Sequence, residues 1–214
     1  MVLRVSLQRR IKMKVLWTLI LLLSFVAQGV CDEDKPEALK SALKEANKNF
    51  TFNASPIHPG CVNEFSINMA DSGPPIVRAI DVAACVSSNE FFSVDYKMSD
   101  DGYMGYEYED SGEKNYFGYK YIGKAKGGLH ILDTRWSGGG TMVAKTVFLT
   151  RFGIEKYRFF DEEEKLKIEK RLIMKCVGQI VRGDRDIGTI ELKDDKLILG
   201  ESQYRKKSEV ISLD

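Results

Sequence analysis

From residue 50 onward the chain is cut by turn residues into short runs in which apolar side chains recur at every second position. Period two is the spacing of a pleated strand with one face against a core. Asp71-Ser-Gly-Pro-Pro75, Ser99-Asp-Asp-Gly102, Asp110-Ser-Gly-Glu-Lys114 and Gly183-Asp-Arg-Asp186 interrupt the runs, and each is rich in residues that favour tight turns. The runs between them read as strands, among them 64–70, 76–86, 91–97, 103–109, 115–122 and 129–134. Further strands are expected at 142–152, 155–160, 166–168, 172–182, 187–193, 196–199 and 209–213. Many short strands at close spacing predict a mainly β fold, a single antiparallel barrel-like or sandwich domain over residues 50–214.

One helix stands before it. Asp34 followed by Glu37 has the form of a capping box, and Pro36 suits a first helical turn. Leu39, Ala42, Leu43 and Ala46 then fall at helical spacing, which predicts a short amphipathic helix over 35–47. Its apolar stripe is narrow, so it is expected to lie against a larger body. The segment 30–49 is therefore read as a charged lead and this helix.

Two strands of the middle region are near copies. Tyr103-Met-Gly-Tyr-Glu-Tyr108 matches Tyr116-Phe-Gly-Tyr-Lys-Tyr121. Period two sets Met104, Tyr106, Tyr108, Phe117, Tyr119 and Tyr121 on one face, read as the buried one. Tyr103, Gly105, Glu107, Tyr116, Gly118 and Lys120 take the other, wetter face. Aromatic rings on a sheet either fill a core or stack on a ligand, with the phenol as a polar handle. Tyr106, Tyr108, Tyr119, Tyr121 and Trp136 are accordingly the candidate binding residues.

The first 29 residues read as a cleavable signal peptide. Arg4, Arg9, Arg10, Lys12 and Lys14 precede an apolar run from Val15 to Val26, and Ala27 and Gly29 supply small residues before an exit. Met13 offers an alternative start. The run is short for a membrane anchor, which needs about 20 apolar residues, so no stable span is expected after cleavage. Removal of residues 1–29 takes five cations and no anion, and turns the formal charge from +1 to −4. A mildly acidic domain without clustered cations is a poor nucleic-acid binder. The expected location is secreted or periplasmic.

Cys31, Cys61, Cys85 and Cys176 would remain. An exported chain permits disulfides, and Cys61–Cys85 closes the shortest loop away from the N-terminal lead. The spacings contain no C-x-x-C, so no zinc site is expected. His58 lies in the turn-rich segment 55–61, whose prolines argue against regular helix. The acidic run 161–164 lacks the alternating ligands and glycine of a calcium loop. No cofactor or metal is expected.

For catalysis the nearest candidates are Ser137, His130 and Asp133, with Gly138-Gly-Gly140 able to offer backbone N–H groups. His130 and Asp133 are three apart on a strand and so point to opposite faces. No phosphate-loop ending or nucleophile elbow accompanies them. The chain is thus expected to be a non-enzymatic module that binds a small apolar or glycan ligand, or a protein partner. A small secreted hydrolase is the first alternative. An inhibitor or envelope-associated protein acting through loop 135–141 or 54–61 is the second.

Overall fold

The computed structural model describes residues 36–66, 78–87, 95–110, 112–160 and 163–213. The signal-peptide reading over 1–29 lies outside them. So do parts of the strands expected at 64–70, 76–86 and 91–97.

Helix α1 (Pro36–Asn49) begins at Pro36, carries Glu37 in its first turn and Lys48 in its last, and buries Ala46. Leu39, Ala42 and Leu43 pack against the same core, as their spacing predicts. Phe50 ends the helix with a left-handed backbone, φ 58°, and its amide still reaches Ala46 O at 3.0 Å. That turn drives the Phe50 ring into the core beneath α1.

A two-residue hairpin follows, β1 (Thr51–Phe52) with β2 (Ser55–Pro56). Next comes α2 (Pro59–Asn63), which overturns the expectation that prolines bar a helix here. Pro59 sits in the first turn, where its missing N–H costs nothing, and His58 Nδ1 caps the start by accepting from Gly60 N at 2.9 Å. The strand expected over 76–86 is corrected in the same way. Only β3 (Ala79–Asp81) is extended, and α3 (Val82–Ser87) replaces the rest, with Asp81 Oδ1 accepting from Ala84 N. Glu64 and Phe65 form a turn instead of starting a strand. The Cys61–Cys85 disulfide joins α2 to α3, as expected from loop length. A loop of that size is worth about 3 kcal/mol on the chain-entropy account.

The remaining strands are β4 (Lys97–Met98), β5 (Met104–Asp110), β6 (Glu113–Ala125), β7 (Leu129–Ser137), β8 (Ala144–Phe160), β9 (Leu166–Asp184), β10 (Ile190–Lys193), β11 (Lys196–Leu199) and β12 (Glu209–Ser212). Six of them join β3 in one seven-stranded antiparallel sheet, in the order β3-β9-β8-β7-β6-β5-β4. Its two ends do not meet, so the sheet is open. β10, β11 and β12 make a separate three-stranded sheet. The breaks expected near 153 and 169–171 are absent. β8 and β9 each run through them as one long strand, paired without interruption from Thr150/Cys176 to Phe160/Leu166.

The large sheet is covered on both faces where β7 crosses it. Leu132 belongs to a core with Phe50, Ile57, Val62, Tyr119, Phe148 and Leu172, under the helices. Leu129 and Ile131 belong to a second core with Val147, Leu197, Leu199 and Leu213, under the small sheet. That is why the first six residues of β7 are all buried. Simple apolar–polar alternation describes a strand with one wet face, and β7 has none.

Candidate functional site

The copied hairpin pairs in register. Met104 faces Tyr119, Gly105 faces Gly118 and Tyr106 faces Phe117. The side chains sort as period two requires, and the Met/Phe/Tyr face lies in the helix-covered core. Tyr106 and Tyr119 are buried, while Tyr108, Tyr121 and Trp136 are half-buried.

The hydroxyls of all six tyrosines in the two copies meet protein groups. Tyr119 donates to Ile57 O at 2.6 Å, and Tyr106 accepts from Asn63 Nδ2 at 3.1 Å. Tyr108 accepts from Trp136 Nε1 at 3.0 Å. Tyr121 meets His130 Nδ1 at 3.2 Å. On the opposite face Tyr103 donates to Asp133 at 2.5 Å, and Tyr116 accepts from Arg135 at 3.1 Å. Burial pushes the Tyr106 phenol up to about 12, and Tyr119 and Tyr103 higher still.

The face expected to be wetter is also built. Tyr116 lies across Gly105 and Gly118, and a Cβ at either would overlap its ring. The Arg135 guanidinium sits 4.2 Å from the Tyr103 ring centre and 4.9 Å from that of Tyr116. It also donates to Asp101. The repeated Gly is therefore what admits the Tyr116 ring. Gly105→Ala should destabilise by about 1–3 kcal/mol, the usual range for overpacking. Added to Tyr116→Ala, it should cost almost nothing more, and a denaturant double-mutant cycle measures that coupling.

Ser137, His130 and Asp133 are not brought together. His130 and Ser137 lie seven residues apart on β7, about 23 Å at strand rise. His130 is fully buried under α1, with Nε2 at 3.3 Å from Asn47 Oδ1 and the rings of Phe50 and Phe152 against it. Burial, with the Lys124 charge adding to it, pulls its imidazole down to about 4. Asp133 lies on the other face in an ion network. Arg182 bridges Asp133 and Asp186 at 2.8 Å each, and Arg205 holds Asp186 at 2.6 Å. Burial works to raise the Asp186 carboxyl, but the Gly188 amide, Arg182 and Ser202 outweigh it and keep it below the usual range. This neutral set of two acids and two arginines ties β7 and β9 to the chain around the small sheet. Sequence reasoning missed it because its members are spread from 133 to 205.

Among the described residues no cluster of three or more His, Cys, Asp or Glu is placed to hold a metal. No helix there is long and apolar enough to cross a membrane.

The feature most open to a partner is the far end of the β8–β9 hairpin. β7 stops pairing with β8 at Thr150, and β3 stops pairing with β9 at Ile173. The seven pairs from Ile154/Leu172 to Phe160/Leu166 then continue as a two-stranded ribbon, about 23 Å long. Its side chains divide sharply. One face holds Glu155, Tyr157, Phe159, Lys167, Glu169 and Arg171. There Arg171 stacks on Tyr157 at 4.3 Å and pairs with Asp81 and Glu169. The other face carries Lys156, Arg158, Phe160, Leu166, Ile168 and Lys170, all exposed. Phe160 is 71% exposed, and Leu166 and Ile168 are each 55% exposed.

Comparison of the chain with protein-family models, with curated proteins and with solved structures gave no match.

Proposed function

We propose that the protein is an exported, non-enzymatic binding module that meets its partner by surface contact, with the β8–β9 ribbon as the contacting element. The single observation that carries this reading is the ribbon's exposed apolar face, where Phe160, Leu166 and Ile168 stand together in water beyond the part of the sheet that packs on the two cores. Large apolar groups left together in water mark interaction sites more often than chance. The disulfide suits an oxidising compartment. The separation of His130 from Asp133 and Ser137 takes apart the one acid–base set that the sequence offered for a hydrolase. The fold is read as sandwich-like, with the small sheet stacked on part of the large one, rather than barrel-like.

The test replaces residues 156–170 with Asn-Gly, a two-residue turn that joins Glu155 to Arg171 as a plain hairpin. Expressed with its N-terminus intact, the variant should leave the cytosol as the parent does and keep its disulfide. The parent should divide between free and cell-bound pools, and the variant should lose the bound one. An unchanged bound pool, or a parent retained in the cytosol, sinks the reading.

A second reading rests on the pair Tyr108 and Trp136, half-buried and joined by a hydrogen bond, with Tyr106 stacked on Tyr108. Such a platform suits a glycan or small apolar ligand. Trp136 fluorescence titrated with a glycan panel decides it. Saturable quenching lost in Tyr108→Ala supports a ligand site there.

A further inference from the structure

We propose that the ribbon face formed by Lys156, Arg158, Phe160, Leu166, Ile168 and Lys170 docks on the surface of an anionic lipid bilayer. This rests on the surface-contact reading above and names the partner. The register places Lys156 opposite Lys170, Arg158 opposite Ile168 and Phe160 opposite Leu166. The six side chains thus form one continuous strip, cationic toward the body and apolar toward the tip. No carboxylate lies on it. The three cations make no ion pair with any described residue, in contrast to Arg171 on the reverse face, which makes two.

Three arguments select the occupant. The first is charge. Three unpaired cations beside three apolar groups match an interface that offers phosphate outside and hydrocarbon beneath. A second copy of the chain stacked face to face would instead bring six cations together. The second is size. A stable protein interface buries about 800 Å² on each side, and a strip about 23 Å long and one ribbon wide is well short of that. A bilayer needs no matched contour. The third is chemistry. Leu166 and Ile168 gain nothing from a nucleic-acid backbone, whereas acyl chains accept them.

The orientation follows from the sequence. Residues 161–164 read Asp-Glu-Glu-Glu, and an acidic tip is repelled from anionic headgroups. The ribbon therefore lies along the surface by its face and does not enter tip first. Its two strands leave no backbone group in hydrocarbon, since Phe160, Leu166 and Ile168 alone reach below the headgroups.

The experiment places a reporter in the strip. Phe160→Trp in the protein as exported is compared with the parent in the same form, so that light from the native tryptophans is subtracted. Vesicles of phosphatidylcholine, alone or mixed with phosphatidylglycerol, carry brominated acyl chains as quenchers. The added tryptophan should be quenched and blue-shifted on the anionic vesicles and unchanged on the neutral ones. Replacing Lys156, Arg158 and Lys170 with Gln should weaken this response about 100-fold, at roughly fivefold for each cation. A tryptophan that stays unquenched on anionic vesicles, or is quenched equally on neutral ones, overturns the assignment. If that happens while the ribbon deletion still empties the cell-bound pool, the partner is a protein and only the lipid assignment falls.

Discussion

Replacing Arg182 with Met should lower the unfolding free energy by about 3–5 kcal/mol, the range seen when one partner of a buried ion pair is removed. The geometry explains the size. Arg182 is 3% exposed and, among the described residues, it is the one group that pairs with both Asp133 and Asp186. Methionine fills most of the volume but leaves two carboxylates in the interior, Asp133 with the Tyr103 hydroxyl and Asp186 with Arg205, Ser202 and the Gly188 amide. Adding Asp133→Asn removes one stranded charge, and the double variant should recover at least half of the loss. Urea unfolding measures both. Amide exchange adds a local readout, because β10, β11 and β12 are held to the large sheet beside this network. Their amides should exchange faster in the single variant than those of β6 and β7. A loss below about 1 kcal/mol, with even exchange, would show that the apolar contacts of Leu197 and Leu199 secure the small sheet alone.

That network also marks where sequence reading runs out. Period two found β5, β6 and β7 because their turns are compact and their copies agree. It placed the tyrosines on the buried face correctly, since the parity of a strand does not depend on its partners. Helix α1 was legible from Pro36, Glu37 and the stripe at 39, 42, 43 and 46. Helices α2 and α3 were not. Each is six residues or fewer, too short for helical periodicity to separate from alternation, and Val82-Ala-Ala-Cys-Val fits either pattern. What fixes them is a His58 cap, an Asp81 cap and the disulfide between them. The length of β8 and β9 was hidden for a different reason. Gly153 and the charged residues after it resemble a turn, yet Gly153 pairs with Ile173 and the ribbon continues. The second face of β7 was invisible because Asp133 and Arg135 look solvated until their partners at 182, 101 and 103 are known. The exposed strip on the ribbon is not evident in the sequence, although Lys156, Arg158 and Phe160 alternate, because nothing local pairs 155–160 with 166–168 as one hairpin.

Acidification should destabilise the protein between about pH 6.5 and pH 4, and His130→Phe should remove most of that dependence. His130 is wholly enclosed, and its imidazole is held down to about 4. In the unfolded chain it titrates near 6.5. The folded state therefore binds fewer protons across that window. Stability present above pH 6.5 is lost as the pH falls and levels off below about pH 4. The full effect is on the order of 3 kcal/mol, at about 1.4 kcal/mol per unit. The hydrogen bonds fit a neutral ring, with Nε2–H donating to Asn47 Oδ1 and Nδ1 accepting from the Tyr121 hydroxyl. Phenylalanine keeps the contacts with Phe50 and Phe152 but loses both hydrogen bonds, so it should be less stable than the parent at pH 7 and nearly level with it at pH 4. Asp186 sets the lower limit of the test, since its depressed carboxyl withdraws stability only as pH falls below the ordinary Asp range. The two groups thus separate on the pH axis. Midpoints of urea unfolding taken every half unit should show a slope from pH 6.5 to 4 that vanishes in His130→Phe and a steeper loss below pH 4 that survives. A slope of equal size in both proteins would mean that protonation of His130 costs the fold nothing, which full burial between Phe50 and Phe152 does not allow.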